Sequence, residues 1–487
     1  MDRNLKSLKP ESVWARFAEI VRIPRPSHSE DKIRRYLVEF AESHGIEHCV
    51  DEAGNVYMHK GATSGMENRM GLIMQAHVDM VAQKNKDKEF DFENDPIDAY
   101  IDGDRVTADG TTLGADDGIG VAAALAAISS DTLAHGPLEA LFTATEETGM
   151  DGAFGLKPGL LKGDILLNLD SETEGELYVG CAGGLDANVR LPYKAAAAPA
   201  SGYATLCVNV RGCKGGHSGI QIICQRANAN RLLFRLLRQI SRLCDMKLCS
   251  VDGGGLRNAI PREAEAVIMV PDGDVAKVKS TAAEFLKTVT AEFAGIEDSI
   301  AVDVTDAKPC GEIIPDDVAA RLMAAMGACH DGVARMSTAM EGLVQTSNNV
   351  ARVVSDGEAV TINMLMRSSV RSEKEALADS IDAVFTLAGA EVVFSGGYDG
   401  WNPNMDSPIL KTMIGMYEQL YGRRPAVTAI HAGLECGIIG GKYPNLDMIS
   451  FGPTINYPHS PDENVEIESV QRFYDFLIHT IENAPEK

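Results

Sequence analysis

Short apolar runs that stop at a charged residue recur through the first third of the chain. GLIMQA (Gly71 to Ala76) ends at His77, LEALFTAT (Leu138 to Thr145) at Glu146, and DILLNL (Asp164 to Leu169) at Asp170. Continuous apolar runs of this length predict strands buried on both faces. Gly118 to Ser129, rich in Ala and Gly, predicts a buried helix. Ser29 predicts the N-cap of an amphipathic helix with Ile33, Leu37, Phe40 and Ala41 on one face, ended by Gly45. Alternating strands and helices predict an α/β sheet whose ligands gather at the strand ends.

The pattern changes beyond AAAAPASG, a small-residue linker or loop at about 195–202. ATLCVNVRG and EAEAVIMVPDG alternate as half-buried strands do, and KVKSTAAEFLKTVTAEFAG has helical periodicity. AVTINMLMRSS and AEVVFSGG predict further strands, with a helix at 372–388 between them. This order predicts α+β sandwiches with antiparallel sheets, in two similar units. The α/β pattern returns near 400: a helix at 407–421, a strand at MISFG (Met448 to Gly452), and a closing helix near 466–482. The fold class is therefore α/β, with the sheet domain formed by 1–185 and 399–487 and interrupted by a large α+β domain at 186–398.

Composition narrows the function. The 487 residues carry 45 basic and 70 acidic side chains, a net charge of −25. A sequence-independent nucleic-acid binder needs a basic surface to displace phosphate counterions, so this charge argues against one. It argues equally against an anionic membrane surface. The start, MDRNLKSLKPESVWARF, has no apolar signal-peptide core, and no apolar run is long enough to span a bilayer. The 10 cysteines include no C-x-x-C pair. Cys207, Cys213, Cys224, Cys244 and Cys249 fit no zinc-knuckle spacing, and most of the cysteines read as buried free thiols. Free thiols without a leader predict the cytoplasm.

The strand ends carry the chemistry. In His77-Val-Asp79, alternate residues point the same way, so Asp79 can orient the His77 imidazole. GADDGIG (Gly114 to Gly120) sets two carboxylates between glycines. Alone it reads as a helix-starting turn, but a carboxylate with two oxygens can also bridge two metals. TATEETG puts Glu146 and Glu147 after an apolar strand, so one can ligate metal while the other faces the attacking water. Asp170 follows a buried strand in LNLDSE, and His459 lies in the Pro-rich loop NYPHSPDE. Each residue alone has an ordinary structural explanation. Together they form an inventory of two histidines and three carboxylates suited to zinc and similar cations.

HVDM, LGADDGIG, TATEETG, LNLDSE and NYPHSPDE, in this order and spacing, resemble the M20 clan of di-zinc peptidases. Within it they resemble the aminoacyl-histidine (Xaa-His) dipeptidases, over essentially the full length. GGHSG and RNAIPRE match that family too. The resemblance implies a catalytic α/β domain with a large α+β lid, acting on small peptides. It implies two divalent cations per chain, zinc first, with cobalt or manganese as substitutes. His77 and Asp170 would bind one, Glu147 and His459 the other, and Asp116 would bridge them. Glu146 would be the general base and Asp79 would orient His77. In the lid, His217 would stabilise the oxyanion, from its own chain or from a partner chain. Asn258 and Arg367 would hold the substrate's C-terminal carboxylate, for which an arginine fork is suited. Glu435, in HAGLECG, would bind substrate at its amino end. A homodimer is compatible with this reading. The sequence departs from the family pattern at Ala82, where Pro is frequent, at Gln221, where an acid is frequent, and at Gln225, where Gly is common. A related N-acyl amino acid amidohydrolase or carboxypeptidase is the alternative activity.

Overall fold

The structure, a computed structural model, describes residues 3–487. The chain forms two compact units. One comprises the chain up to Cys181, Trp401–Ala429 and Leu434–Lys487; the other comprises Ala182–Gly400 and Ile430–Gly433.

The first unit is built on an eight-stranded sheet. Four strands at its centre run parallel, in the order Leu138–Thr143, Leu72–His77, Ile165–Asn168, Asp447–Ser450. Nearly every residue of the four is buried, as a sheet covered on both faces requires. Their carboxyl ends therefore lie along one edge, where His77, the turn after Thr143, Asp170 and the loop after Ser450 follow. The helix Ala115–Ile128 is buried along its whole length, which its run of Ala and Gly permits. It starts three residues before the predicted Gly118, because Ala115, Asp116 and Asp117 form its irregular first turn. A four-stranded antiparallel sheet includes the pair Ile455–Asn456 and Asn464–Glu466, and His459 sits in the loop between them.

The helix Asp31–Ser43 buries Ile33, Leu37, Phe40 and Ala41 as predicted, and Gly45 follows it with φ of 64°. Its N-cap is Glu30, not Ser29. The Glu30 carboxylate instead accepts from the His28 N–H and the Thr145 hydroxyl, a tertiary use that the local sequence does not announce.

The second unit holds one nine-stranded antiparallel sheet rather than separate sandwiches. The two similar units are present, but fused. One half runs Tyr203–Arg211, helix Ala229–Ser241, Lys247–Gly254, Ala264–Pro271, helix Val275–Glu292, Ala301–Asp306. The other runs Gly183–Pro192, helix Asp316–Ala328, Val344–Ser355, Ala359–Ser368, helix Arg371–Leu387, Glu391–Ser395. In each half the strands stand in the spatial order fourth, first, third, second. The halves join where Asp252, Gly253 and Gly254 pair with Val354, Val353 and Arg352. The helices of both halves bury their apolar residues in one core. The predicted linker also contains a two-residue strand, Ala196–Ala197, paired with Glu312–Ile313.

The cysteines correct a second expectation. The sequence predicts mostly buried free thiols, but only four of the ten are both free and buried, and Cys249 and Cys310 form a disulfide. Their Cα atoms are 6.7 Å apart because the Ile314 N–H donates to the Leu248 carbonyl and brings the two segments together. Of the eight free cysteines, Cys181, Cys213, Cys329 and Cys436 are buried. Among the described residues, no helix is long and apolar enough to cross a membrane.

Candidate metal centre

The five predicted ligand residues converge at the edge of the first unit. His77 Nε2 lies 2.9 Å from Asp116 Oδ1 and 3.2 Å from Asp170 Oδ1. His459 Nε2 lies 3.1 Å from Asp116 Oδ2 and 3.0 Å from Glu147 Oε2. Asp116 thus turns one oxygen to each histidine. His77, Asp116 and Asp170 form one group, and Asp116, Glu147 and His459 another, with ligand atoms all within 4.8 Å of one another in each. That spread lets one cation gather each group at ordinary bond lengths of about 2.0–2.2 Å. Glu147 Oε1 is buried without a hydrogen-bond partner, as a carboxylate reserved for a cation would be.

The electrostatics point the same way. Burial drives Asp170 and Asp117 well above the usual carboxylate range, with neighbouring carboxylates adding to it and His77 opposing. Burial also raises Glu146 to about 8, opposed by His77 and reinforced by Glu435, Glu147 and Asp116. Negative charge is crowded here beyond what the two imidazoles offset. A site of this kind is relieved by added positive charge.

Residues outside the predicted set fix the ligands in place. Glu463 is buried, and its two oxygens accept from four consecutive backbone N–H groups, Leu113 to Asp116, at 2.7–3.2 Å. Arg25, also buried, donates to the carbonyls of Val78, Asp79 and Gly114 at 2.9, 2.7 and 2.5 Å. It therefore ties the end of the His77 strand to the turn that carries Asp116. Asp79 Oδ1 lies 3.4 Å from His77 Nδ1, consistent with orienting the ring. The same carboxylate accepts from the N–H groups of Glu146 and Glu147 at 2.9 and 3.2 Å and from Ser27 at 2.8 Å. Burial opposes its ionisation, yet the attraction of His77 and the hydrogen bonds from Ser27 and the Glu146 N–H hold it at about 2. Thr145 and His459 adopt φ of 55° and 60°, a left-handed backbone that costs a non-glycine residue about 1–3 kcal/mol. Strain of this kind persists where surrounding bonds over-determine it.

Glu435 opens the helix Glu435–Lys442 and is buried. Its Oε2 accepts from Gln75 at 2.6 Å and from Thr143 at 2.7 Å, and burial raises it to about 7. Both partners belong to the two central strands, so Glu435 is held beneath the strand ends that carry His77 and Glu146.

The other predicted residues belong to the second unit. His217 lies on the short strand Gly216–His217, beside Ala259–Ile260. Its Nδ1 accepts from the N–H groups of Gly219 and Ile220 at 3.2 and 3.1 Å, which leaves Nε2 to carry the proton. Burial and then Arg367 hold it below its usual range, so it is a neutral donor near pH 7. Gly219 is needed there, because a Cβ would lie 2.3 Å from the His431 carbonyl. Arg367 is buried, with Nη1 3.5 Å from the Tyr398 hydroxyl and Nε without a hydrogen-bond partner. His431, which sequence reasoning passed over, bonds Ser347 at 2.7 Å and is lowered to about 3 by burial and then by Arg367. Asn258 is exposed in the turn before Ala259, and its carbonyl accepts from the Ser218 N–H at 2.8 Å.

Strand ends that gather two histidines around a shared carboxylate define a metallopeptidase-type centre, and the comparisons give its family. Residues 73–483 match the model of Peptidase family M20/M25/M40, and the chain belongs to that family. It is 44% identical, over 99% of both chains, to the cytosol non-specific dipeptidase of Escherichia coli (strain K12). The solved aminoacylhistidine dipeptidase of Vibrio alginolyticus matches with a TM-score of 0.96 at 45% identity, covering 99% of each chain. Aminopeptidase PepT of Bacillus cereus shares the fold, with a TM-score of 0.58 at 16% identity over 98% of each chain.

Proposed function

We propose that this chain hydrolyses dipeptides, Xaa-His among them, in the cytosol, using two divalent cations of which zinc is the first choice and cobalt or manganese substitutes. The chain is a metallo-dipeptidase of the M20 family. The observation that carries the two-cation reading is Asp116, whose two oxygens face two separate histidine–carboxylate pairs. The 44% identity to a cytosol non-specific dipeptidase supports a broad dipeptide range and the cytosolic location.

In this reading His77 and Asp170 would hold one cation, Glu147 and His459 the other, and Asp116 would be shared by both. When bound, the cations supply Lewis acidity toward the scissile carbonyl and toward water. Glu146 removes the proton from the attacking water and returns it to the leaving amine. His217, of this chain or of a partner copy, would donate its Nε2–H to the developing oxyanion, a donor whose tautomer is fixed by two backbone N–H groups. Arg367, with donors left over, and Asn258 read the C-terminal carboxylate. Glu435, well anchored by Gln75 and Thr143, sets the limit of the site toward the substrate's amino end.

The test is a panel of dipeptides and N-acetylated amino acids assayed on metal-loaded protein, with metal content measured on the same samples. The expected result is two cations per chain and turnover of free dipeptides. Turnover confined to N-acetyl amino acids would move the reading to an amidohydrolase. One cation or none in active protein would refute the bridging role of Asp116.

A further inference from the structure

A second charged feature lies among the helices of the inserted unit, and the reaction above does not use it. The helix Ala229–Ser241 and the residue after it place Arg231, Arg235, Arg238 and Arg242 at spacings of four, three and four. At 3.6 residues per turn these fall on one stripe of the helix. With Met326 and Gly327, at the end of helix Asp316–Ala328, they line a cavity of about 550 Å³.

The chain answers only part of this charge. Arg235 is bound by both oxygens of Glu292 at 2.6 and 2.8 Å. Arg231 donates to the Met326 carbonyl. Among the described residues, no carboxylate lies within ion-pair reach of Arg238 or Arg242, and both are exposed. A Cβ on Gly327 would come within 2.6 Å of the Arg238 Nη1, so the guanidinium lies over bare backbone. In a chain of net charge −25 such a stripe is not the by-product of a basic surface. Guanidinium groups held side by side repel one another unless an anion lies between them. Their planar forks match the oxygens of phosphate, and the cavity is of a size that takes a small organic ligand.

We propose that this groove binds a phosphorylated small molecule, a polyphosphate or a nucleotide, carrying several negative charges. The two helices that form it are corresponding elements of the two fused halves, so an occupant touches both.

The test uses metal-loaded enzyme with divalent cation in excess, titrated at constant ionic strength with pyrophosphate, ATP, adenosine and sulfate, read by calorimetry and thermal unfolding. Wild type is compared with the double variant R238Q/R242Q and with Gly327→Ala, which keeps every charge but displaces Arg238. Pyrophosphate, ATP or both should bind and raise Tm by about 2–4 °C at saturation. Adenosine and sulfate should not. The double variant should bind about tenfold or more weakly and lose the rise, with its dipeptidase kcat in the absence of phosphates unchanged. Gly327→Ala should weaken binding to a smaller degree, and the single variants R238Q and R242Q decide the matter if the double variant does not fold. Equal binding by wild type and variants would place the phosphate elsewhere, the metal centre included, and would overturn the proposal. So would sulfate binding as well as pyrophosphate, or no binding at all.

Discussion

The residues that brace the ligand cluster and the residues proposed to meet the substrate hold their charges in opposite ways. In the first unit three buried charges that brace the cluster are each locked by several groups: Glu463 by four N–H groups, Arg25 by three carbonyls, Asp79 by two N–H groups and a hydroxyl. In the second, Arg367 has one long contact, His217 keeps its Nε2–H free of its own loop, and Asn258 is exposed. Gathering cations demands ligands that cannot wander, so their supports are saturated. Reading a substrate demands donors that the protein itself leaves unmet, because a buried donor gains most when its partner arrives with the ligand. On the proposed roles, the difference separates residues that build the centre from residues that would address the substrate.

Substitutions can break this contrast. Asp116→Ala should have the largest effect. Activity should fall to background and metal content should drop with it, both read on one preparation by elemental analysis and assay. Glu146→Gln should lower kcat by about 10²–10⁴, the range for a general base, with both cations retained; loss of metal here would make it a ligand instead. His217→Ala should lower kcat by about 10²–10³, as removal of an oxyanion donor does, and should leave metal affinity untouched. Glu463→Gln reverses that signature. It should weaken metal binding by about 10–100-fold, as loss of a residue that orients ligands does, measured by competition with a chelator. Arg367→Ala should cost about 10–100-fold in kcat/KM on free dipeptides, the worth of a charge-assisted hydrogen bond. On dipeptide amides it should cost little more, because the carboxylate is already gone. Equal losses on acid and amide would turn Arg367 into a structural residue and remove half of the contrast.

Asp116 and His459 were legible only through the motifs GADDGIG and NYPHSPDE, whereas four other residues share one property. His77, Glu146, Glu147 and Asp170 each interrupt or follow an apolar run, so a charge at a buried strand end marks itself. Glu463 and Arg25 stayed hidden because their partners are backbone atoms remote in sequence, 347–350 residues away for Glu463 and 53–89 for Arg25. Glu463 did carry a weak clue, standing four residues after His459 in the same loop. The helix at 31–43 was legible from its apolar face, whereas its cap was not, because Glu30 is committed to Thr145. In the inserted unit single strands were legible from their alternation. Their fusion into one sheet was not, because it rests on three residue pairs rich in glycine that carry no periodicity.

The shared carboxylate also has a consequence for timing. Asp116 and His459 meet across 343 residues of chain. During synthesis Asp116, His77, Glu147 and Asp170 emerge early, and the whole inserted unit must be made before the histidine that completes the second cation group. A nascent chain therefore has a window in which at most one cation can be fully held. On the proposed ligand roles, competence would wait until Asp447–Ser450 pairs beside Ile165–Asn168 and the hairpin Ile455–Asn456 to Asn464–Glu466 brings in His459. On those roles, the order in which the ligands lie along the chain would act as a built-in delay on the enzyme's own chemistry.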